Sequence, residues 1–330
     1  MTGLYDDQLI ERLRQGAIGL LDKWELDPQT NVELLTISEN ATFRAEEPGS
    51  RRQIVLRVYR PGYHTQQEIE SELDWIVALR QEEIVETPEP LVVRTGGLLT
   101  SFELEGEHRF VVAFTFMTGV EPSPTANLNS SFEQLGAISA RLHQHVRSWK
   151  RPTAFVRKIW NFDTTVGPKS HWGDWRFAPK LTKDGEQLLE KTCLKLKRQL
   201  NEFGESSDRF GLIHADLRLA NLLVEGDRLG IIDFDDCGFG WFGYDFAAAV
   251  SFLEHESIIA ELEDYWIQGY RSVTSLSEES VNMLPNFVML RRLLLTAWIG
   301  SHPETPTAKE VAETYTTDTL MLADNFLSRT

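Results

Sequence analysis

Cysteine is nearly missing from this 330-residue chain: only Cys193 and Cys237 occur. Two thiols make no disulfide framework, which excludes a small cross-linked scaffold and suits a reducing cytoplasm. Basic residues are in deficit, 33 Lys and Arg against 50 Asp and Glu, for a net charge of −17. Such a surface repels polyphosphate backbones and anionic lipid, so neither nucleic acid nor a membrane is expected as a partner. No uninterrupted apolar run reaches spanning length, and the best candidate, 288–299, contains Arg291 and Arg292. The opening residues, Met-Thr-Gly-Leu-Tyr-Asp-Asp, carry no basic and apolar leader, so a cytoplasmic chain is expected. Internal repeats and low-complexity tracts are also lacking. What remains is an ordinary globular composition, 42% hydrophobic and 25% charged, with length for one large domain or two. The acidity serves solubility, and it also attracts cations such as magnesium or an amine.

The most informative stretch is Leu212-Ile-His214-Ala-Asp216-Leu-Arg218-Leu-Ala, closed by Asn221. Apolar residues bring a strand in, His-x-Asp follows at a turn, and Leu222-Leu223-Val224 leads out. Gly226-Asp227 then turns the chain back through Leu229-Gly-Ile231-Ile232 to Asp233-Phe-Asp235-Asp236. Two hairpin strands therefore hold two carboxylates and an amide at neighbouring strand ends. Phosphoryl transfer needs this set: Asp216 facing the attacking hydroxyl, with Asn221 and Asp233 for magnesium on the triphosphate. The blander alternative is a loop tied by its own side-chain hydrogen bonds.

Towards the N-terminus, Leu9, Leu13, Ala17, Leu21 and Trp24 predict an amphipathic helix over 6–24. β-rich segments follow at 32–38, 41–46 and 53–59. Between the first two lies Ser38-Glu-Asn40-Ala-Thr42, where a kinase carries a glycine-rich loop. Glycine is missing there, so phosphate contacts would fall to backbone N–H groups and the Ser38 and Thr42 hydroxyls. Alternation puts Val55, Arg57 and Tyr59 on one sheet face. If this strand matches the kinase Val-Ala-Ile-Lys strand, Val55 covers adenine and Arg57 faces the phosphates in place of Lys. Thr65-x-x-Glu68 is a capping box opening a helix, and Glu72 falls inside its apolar stripe of Ile69, Leu73, Ile76 and Leu79. A buried carboxylate needs a partner, and Arg57 is the natural one, with Glu68 as the fallback acid. A hairpin turned at Glu105-Gly106 leads through Thr115-Phe116-Met117 to Gly119, expected to meet adenine through its backbone.

Beyond Gly119 the pattern turns helical, starting at a second capping box, Ser130-x-x-Glu133. His143 lies beside the apolar stripe and reads as a hydrogen-bonded core residue. Residues 149–175 hold four of nine tryptophans, Trp149, Trp160, Trp172 and Trp175, in an insertion expected over the helical part (149–178). Trp172 and Trp175 are candidate cation–π partners for a positively charged substrate, the alternative being plain packing. Helices are predicted over 244–254, 257–271, 278–300 and 308–327.

The chain resembles the aminoglycoside phosphotransferase family of kinase-like enzymes, with its choline kinases, type II homoserine kinases and stress response kinase A. The resemblance rests on His214-Ala-Asp216-Leu-Arg-Leu-Ala-Asn221, Ile231-Ile-Asp233-Phe-Asp-Asp and Tyr244-Asp245-Phe. Leu135-Gly136…Ala140-Arg-Leu-His143, Ser38-Glu-Asn40 and Val55-Leu-Arg57-Val-Tyr-Arg-Pro61 support it, so that it spans roughly 35–255. It implies an α+β, two-lobed protein-kinase-like fold, with a sheet lobe over 1–117, a helical lobe over 118–330 and catalytic hairpins at 210–236. It implies ATP and Mg2+, Asp216 as catalytic base, and Asn221 and Asp233 as metal ligands. His214 would brace the loop, Asp245 would anchor it, and Arg218 would steady the transferring group. Departures from the pattern are Ala215 for Gly, Arg57 for Lys, and Asp235 where protein kinases have Gly.

Three functions fit: a small-molecule kinase, a protein Ser/Thr kinase, and a nucleotide-binding pseudokinase. Retention of Asp216, Asn221 and Asp233 argues against the last. Only Phe234 to Tyr244 separate Asp233 from Asp245, a short platform for an extended peptide. Asp235 and Asp236 beside Asp216 favour a small, cationic hydroxyl acceptor. The oligomeric state is not legible in the sequence.

Overall fold

Asp6 accepts a hydrogen bond from Leu9 N and so opens α1 (Asp7–Ile18). The helix predicted to Trp24 stops at the cap residue Gly19, and a separate 3-10 turn, Leu21–Trp24, carries the last apolar positions inward. In the computed structural model, which describes residues 6–37, 39–303 and 305–329, the chain divides into two compact units. One is the described chain through Thr118 with Arg151–Arg157; the other is Gly119–Lys150 with Lys158 onward.

The first unit is built on an antiparallel sheet. Its strands β1 (Asn31–Ile37), β2 (Ala41–Glu46) and β3 (Gln53–Val58) precede α2 (Gln66–Gln81), and β4 (Leu99–Leu104) and β5 (Glu107–Thr115) complete it. The sheet order is β1-β2-β3-β5-β4. Glu105 and Gly106 between β4 and β5 have φ of 56° and 81°, the pair of left-handed residues that a tight hairpin turn demands. On β3 the alternate residues Ile54, Leu56 and Val58 enter a core with Leu13, Ala17, Trp24 and Phe43. Arg57 is thereby on the opposite face. The Thr65 capping box forms as expected. Part of the predicted insertion belongs here: Val156 N donates to Ser71 Oγ (3.0 Å) and Arg157 Nη1 to the Glu68 carbonyl (2.9 Å).

The second unit opens with α3 (Asn129–Ser148) and β6 (Lys158–Trp160), followed by α4 (Phe162–Thr165) and α5 (Lys183–Phe203). β7 (Phe210–Ile213) and β10 (Gly238–Trp241) pair antiparallel in a sheet with β6, and β8 (Leu222–Glu225) and β9 (Arg228–Ile231) form a separate hairpin. Helices α6 (Tyr244–Ala249), α7 (Ile259–Val273), α8 (Glu278–Asn282), α9 (Leu284–Ser301), α10 (Pro306–Val311) and α11 (Tyr315–Ser328) follow. Four sequence expectations change, among them the helix predicted over 308–327, which breaks into α10 and α11. The Ser130–Glu133 box does not cap α3, which begins at Asn129, whose N–H is taken by Asn127 Oδ1 instead. The helix predicted over 244–254 ends at Ala249, ahead of Phe252 at φ 70°. The helix predicted over 278–300 breaks into α8 and α9, because Pro285 lacks the N–H to continue a helix and is tolerated only in a first turn. Gly136 on α3 and Gly269 on α7 let those helices touch backbone to backbone: a Cβ at Gly269 would lie 1.8 Å from the Glu133 carbonyl oxygen.

Candidate active site

β7 delivers the chain to His214, and three neighbours fix the turn that follows. Asp245, at the start of α6, accepts from Ala215 N at 2.8 Å and His214 N at 3.4 Å. Its Oδ2 also accepts from His143 Nε2 at 2.9 Å, while His143 Nδ1 meets the Tyr270 hydroxyl at 3.1 Å. Burial pushes the pKa of His143 down from its ordinary value, and likewise that of His214, so both rings stay neutral. Neutral His214 has one donor and one acceptor, and both are used: Nδ1 accepts from Asp216 N (3.3 Å) and Nε2 donates to the Ile232 carbonyl (3.2 Å). Ala215 sits at φ 67°, a conformation in which glycine is at ease, and these bonds hold it there.

The Asp216 carboxylate is held by three side chains. Asn221 Nδ2 donates to its Oδ2 at 2.7 Å and to its backbone carbonyl at 2.8 Å, and Arg218 Nε reaches Oδ2 at 3.3 Å. Arg291 on α9 donates from Nη2 to Oδ1 at 2.5 Å. The same guanidinium reaches the Ala215 carbonyl (3.3 Å) and Ser251 Oγ (3.1 Å) and lies 5.0 Å from the Trp172 ring centre. Burial opposes its charge, but Tyr244, Asp216 and Asp236 outweigh burial and raise its pKa above the ordinary value. Asp233 follows β9 at φ 64°, and Ile232 N donates to the Asn221 carbonyl at 2.9 Å, which keeps the second hairpin end beside the first. Asp235 N lies 3.4 Å from Asp233 Oδ1. Asp236 meets Lys158 Nζ at 3.5 Å, and its carbonyl accepts from Trp160 Nε1 at 2.8 Å.

The tryptophan candidates separate. Trp172 is buried edge-on against Trp160 and carries Arg291 over its ring, so its cation–π partner is internal. Trp175 is buried to 1% exposure under Arg176 and lines a cavity of about 710 Å³ whose other walls include Phe162, Cys193 and Lys197. None of the Asp216 group borders that cavity. Trp175 thus stands apart from the Asp216 group, on a cavity of its own.

In the first unit Arg57 Nη1 meets Glu72 Oε1 at 2.7 Å, with Glu72 fully buried and Arg57 8% exposed. Tyr59 donates its hydroxyl to Glu72 Oε2 (3.2 Å), and the Arg57 guanidinium lies 5.2 Å from the Phe114 ring centre. Thr42 is the cross-strand neighbour of Arg57, and Val55 pairs with Phe114. Asn40 and Glu39 are tied to Arg60, through its N–H (3.1 Å) and Nη1 (2.7 Å). Ser38 lies outside the described residues. Thr115 exchanges backbone and hydroxyl bonds with Glu89, and Phe116 and Met117 follow half-buried.

Residues 33–276 match the phosphotransferase enzyme family. The chain belongs to that family. It has the α+β protein-kinase-like fold and carries a small-molecule kinase domain. A solved microcompartment-associated aminopropanol kinase is 41% identical at a TM-score of 0.88, covering 94% of this chain and 97% of its own. An amicoumacin kinase solved with AMP-PNP and Ca2+ is 19% identical at a TM-score of 0.75, over 97% of this chain and 94% of that one. Amicoumacin kinase of Bacillus subtilis is 24% identical over 174 residues, 50% of this chain. In that match the phosphotransferase spans about half the relative's length, 49%.

Sequence reasoning about the phosphotransferase missed Arg291, Lys158 and Tyr244. Arg291 had a signal: an arginine inside the most apolar helix must bury its charge against a partner. Lys158 carried none, and Tyr244 stood in the Tyr244-Asp245-Phe motif without a role of its own. Among the described residues, no group of three or more His, Cys, Asp or Glu is arranged to hold a metal. The donors do fit magnesium shared with phosphates, which needs only one or two protein oxygens. Both Asn221 amide hydrogens point to Asp216, leaving Oδ1 as its acceptor, and Asp233 adds a carboxylate.

Proposed function

We propose that this phosphotransferase moves the γ-phosphate of ATP, with magnesium, to the hydroxyl of a small amine-bearing alcohol. The carrying observation is Asp216, whose carboxylate is fixed by Asn221, Arg218 and Arg291. In this reading Asp216 accepts the proton of the attacking hydroxyl and aims its oxygen. Asn221 Oδ1 and Asp233 would hold the magnesium, which would neutralise phosphate charge. His214 keeps the turn in place, and Arg218 is near enough to steady the transferring group. Arg57, held by Glu72, grips the α- and β-phosphates, and Val55 with 115–117 takes the adenine.

The amine-bearing acceptor is supported by the 41% identity to an aminopropanol kinase and by Asp235 and Asp236 next to Asp233. The short 234–244 segment favours a small acceptor over a peptide. Incubation with radiolabelled ATP tests the assignment when amino alcohols, matching neutral diols and protein extract are offered in parallel. Label is expected on an amino alcohol. Label on protein alone would overturn the reading.

A further inference from the structure

An amino alcohol can offer a lone carboxylate two ends, and the wrong one binds better. Its ammonium makes a charge-assisted hydrogen bond roughly twice as strong as that of its neutral hydroxyl. A base with open access would therefore collect the amine and leave the hydroxyl pointing away from the phosphate. Asp216 is not open in this way. Arg291 occupies Oδ1 at 2.5 Å, with 1% of its own surface exposed. It is held in that seat from several sides, by Ser251 Oγ, the Ala215 carbonyl and the Trp172 and Tyr244 rings. Its neighbour Arg292 pins the same helix through a fully buried pair with Glu254 at 2.8 Å. With Arg218 already on Oδ2 at 3.3 Å, a further cation brought to Asp216 would meet the fixed charge of Arg291 in a poorly solvated place, whereas a neutral hydroxyl would not.

We propose that Arg291 is a positioning residue that decides which end of an amino alcohol meets Asp216, by excluding the ammonium from the base. Repulsion of the wrong arrangement, rather than attraction of the right one, provides the selection. The proposal rests on the reading of Asp216 as the base and of the acceptor as an amino alcohol. It adds a role for a residue outside the hairpin motif.

The probe is propylammonium, which has the charge and no hydroxyl, titrated calorimetrically into the full chain with AMP-PNP and magnesium. Arg291→Gln and Arg291→Met remove the charge, and Arg291→Lys keeps it. Both neutral variants should bind propylammonium at least about tenfold more tightly than the parent, since like charges brought together cost several kcal/mol. Arg291→Lys should behave like the parent. Adding Asp216→Asn to Arg291→Gln should abolish the gain. Turnover gives a second readout: in the neutral variants KM for the amino alcohol should fall together with kcat, the mark of non-productive binding. Unchanged affinity in a folded neutral variant, a Lys variant as tight as Gln, or a gain that survives Asp216→Asn would each overturn the proposal. Turnover retained by Asp216→Asn alone would instead overturn the base assignment.

Discussion

Asp216 has both oxygens engaged before any substrate arrives, Oδ2 by Asn221 and Arg218 and Oδ1 by Arg291. A carboxylate fixed this way keeps lone pairs for one more donor, and its orientation costs nothing at the moment of reaction. Asp216→Asn should therefore lower phosphoryl transfer by about 10²–10⁴-fold, the range for loss of a general base. Thermal stabilisation by ATP and magnesium should persist, and full activity in the variant would sink the assignment. The Arg57–Glu72 pair is the equivalent point in the first unit. Glu72→Gln should reduce turnover, while Glu70→Gln should not, because Glu70 is half-exposed and bonded to Gln66 on its own helix. Equal kinetics for the two variants would remove Glu72 from the site. Glu72 was legible in the sequence because a lone acid in an apolar stripe must have a partner.

At the scale of elements, α9 joins the chemistry to the distal end of the chain. Arg291 faces Asp216, and Arg292 bonds Glu254, the Tyr315 carbonyl (2.9 Å) and Thr319 (2.8 Å), so adjacent residues, about 100° apart around one helix, serve different neighbours. Breaking such a pair from one side strands a buried charge. Glu254→Ala should cost about 3–5 kcal/mol in urea denaturation, and replacing both partners with apolar residues should recover most of it. A loss below 1 kcal/mol, about the value of an exposed pair, would mean that solvent reaches Arg292. The elements themselves were mostly readable: the five-stranded sheet, the Thr65 cap and the 222–231 hairpin follow from alternation and turn residues. Helix ends were less so. Ala249, the α8/α9 break and the start of α3 depend on which neighbour takes a backbone group, and periodicity does not carry that information.

For the whole molecule, two buried neutral histidines set an acid limit. His143 and His214 have folded pKa values pushed below the ordinary 6.5 by burial. Below that value the unfolded chain binds protons that the folded chain does not, so stability rises with pH through this window. Stability should be complete above about pH 6.5 and should decline as the pH falls towards the lowered folded values. Urea midpoints between about pH 7.5 and 5.5 check this, and His143→Gln should flatten the slope. A parent midpoint that does not move would contradict it. Among the described residues no helix is long and apolar enough to cross a membrane, in keeping with Arg291 and Arg292 interrupting the best apolar run.

The sequence by itself determined the family, the α+β fold and the members of the 214–236 hairpin group. These depend on short-range spacing: His-x-Asp-x4-Asn, an apolar strand leading to Asp233, and an Asp in the first turn of a small-residue helix. Tertiary structure decided what surrounds that group. Arg291 arrives from 75 residues away, Lys158 from 78 before Asp236, and His143 from 102 before Asp245. It also moved Trp175 out of the site, by covering its ring with Arg176 and turning it towards a separate cavity. A carboxylate's type and spacing are written locally. The charges that set what it will accept come from helices whose approach is fixed only when apolar faces pack.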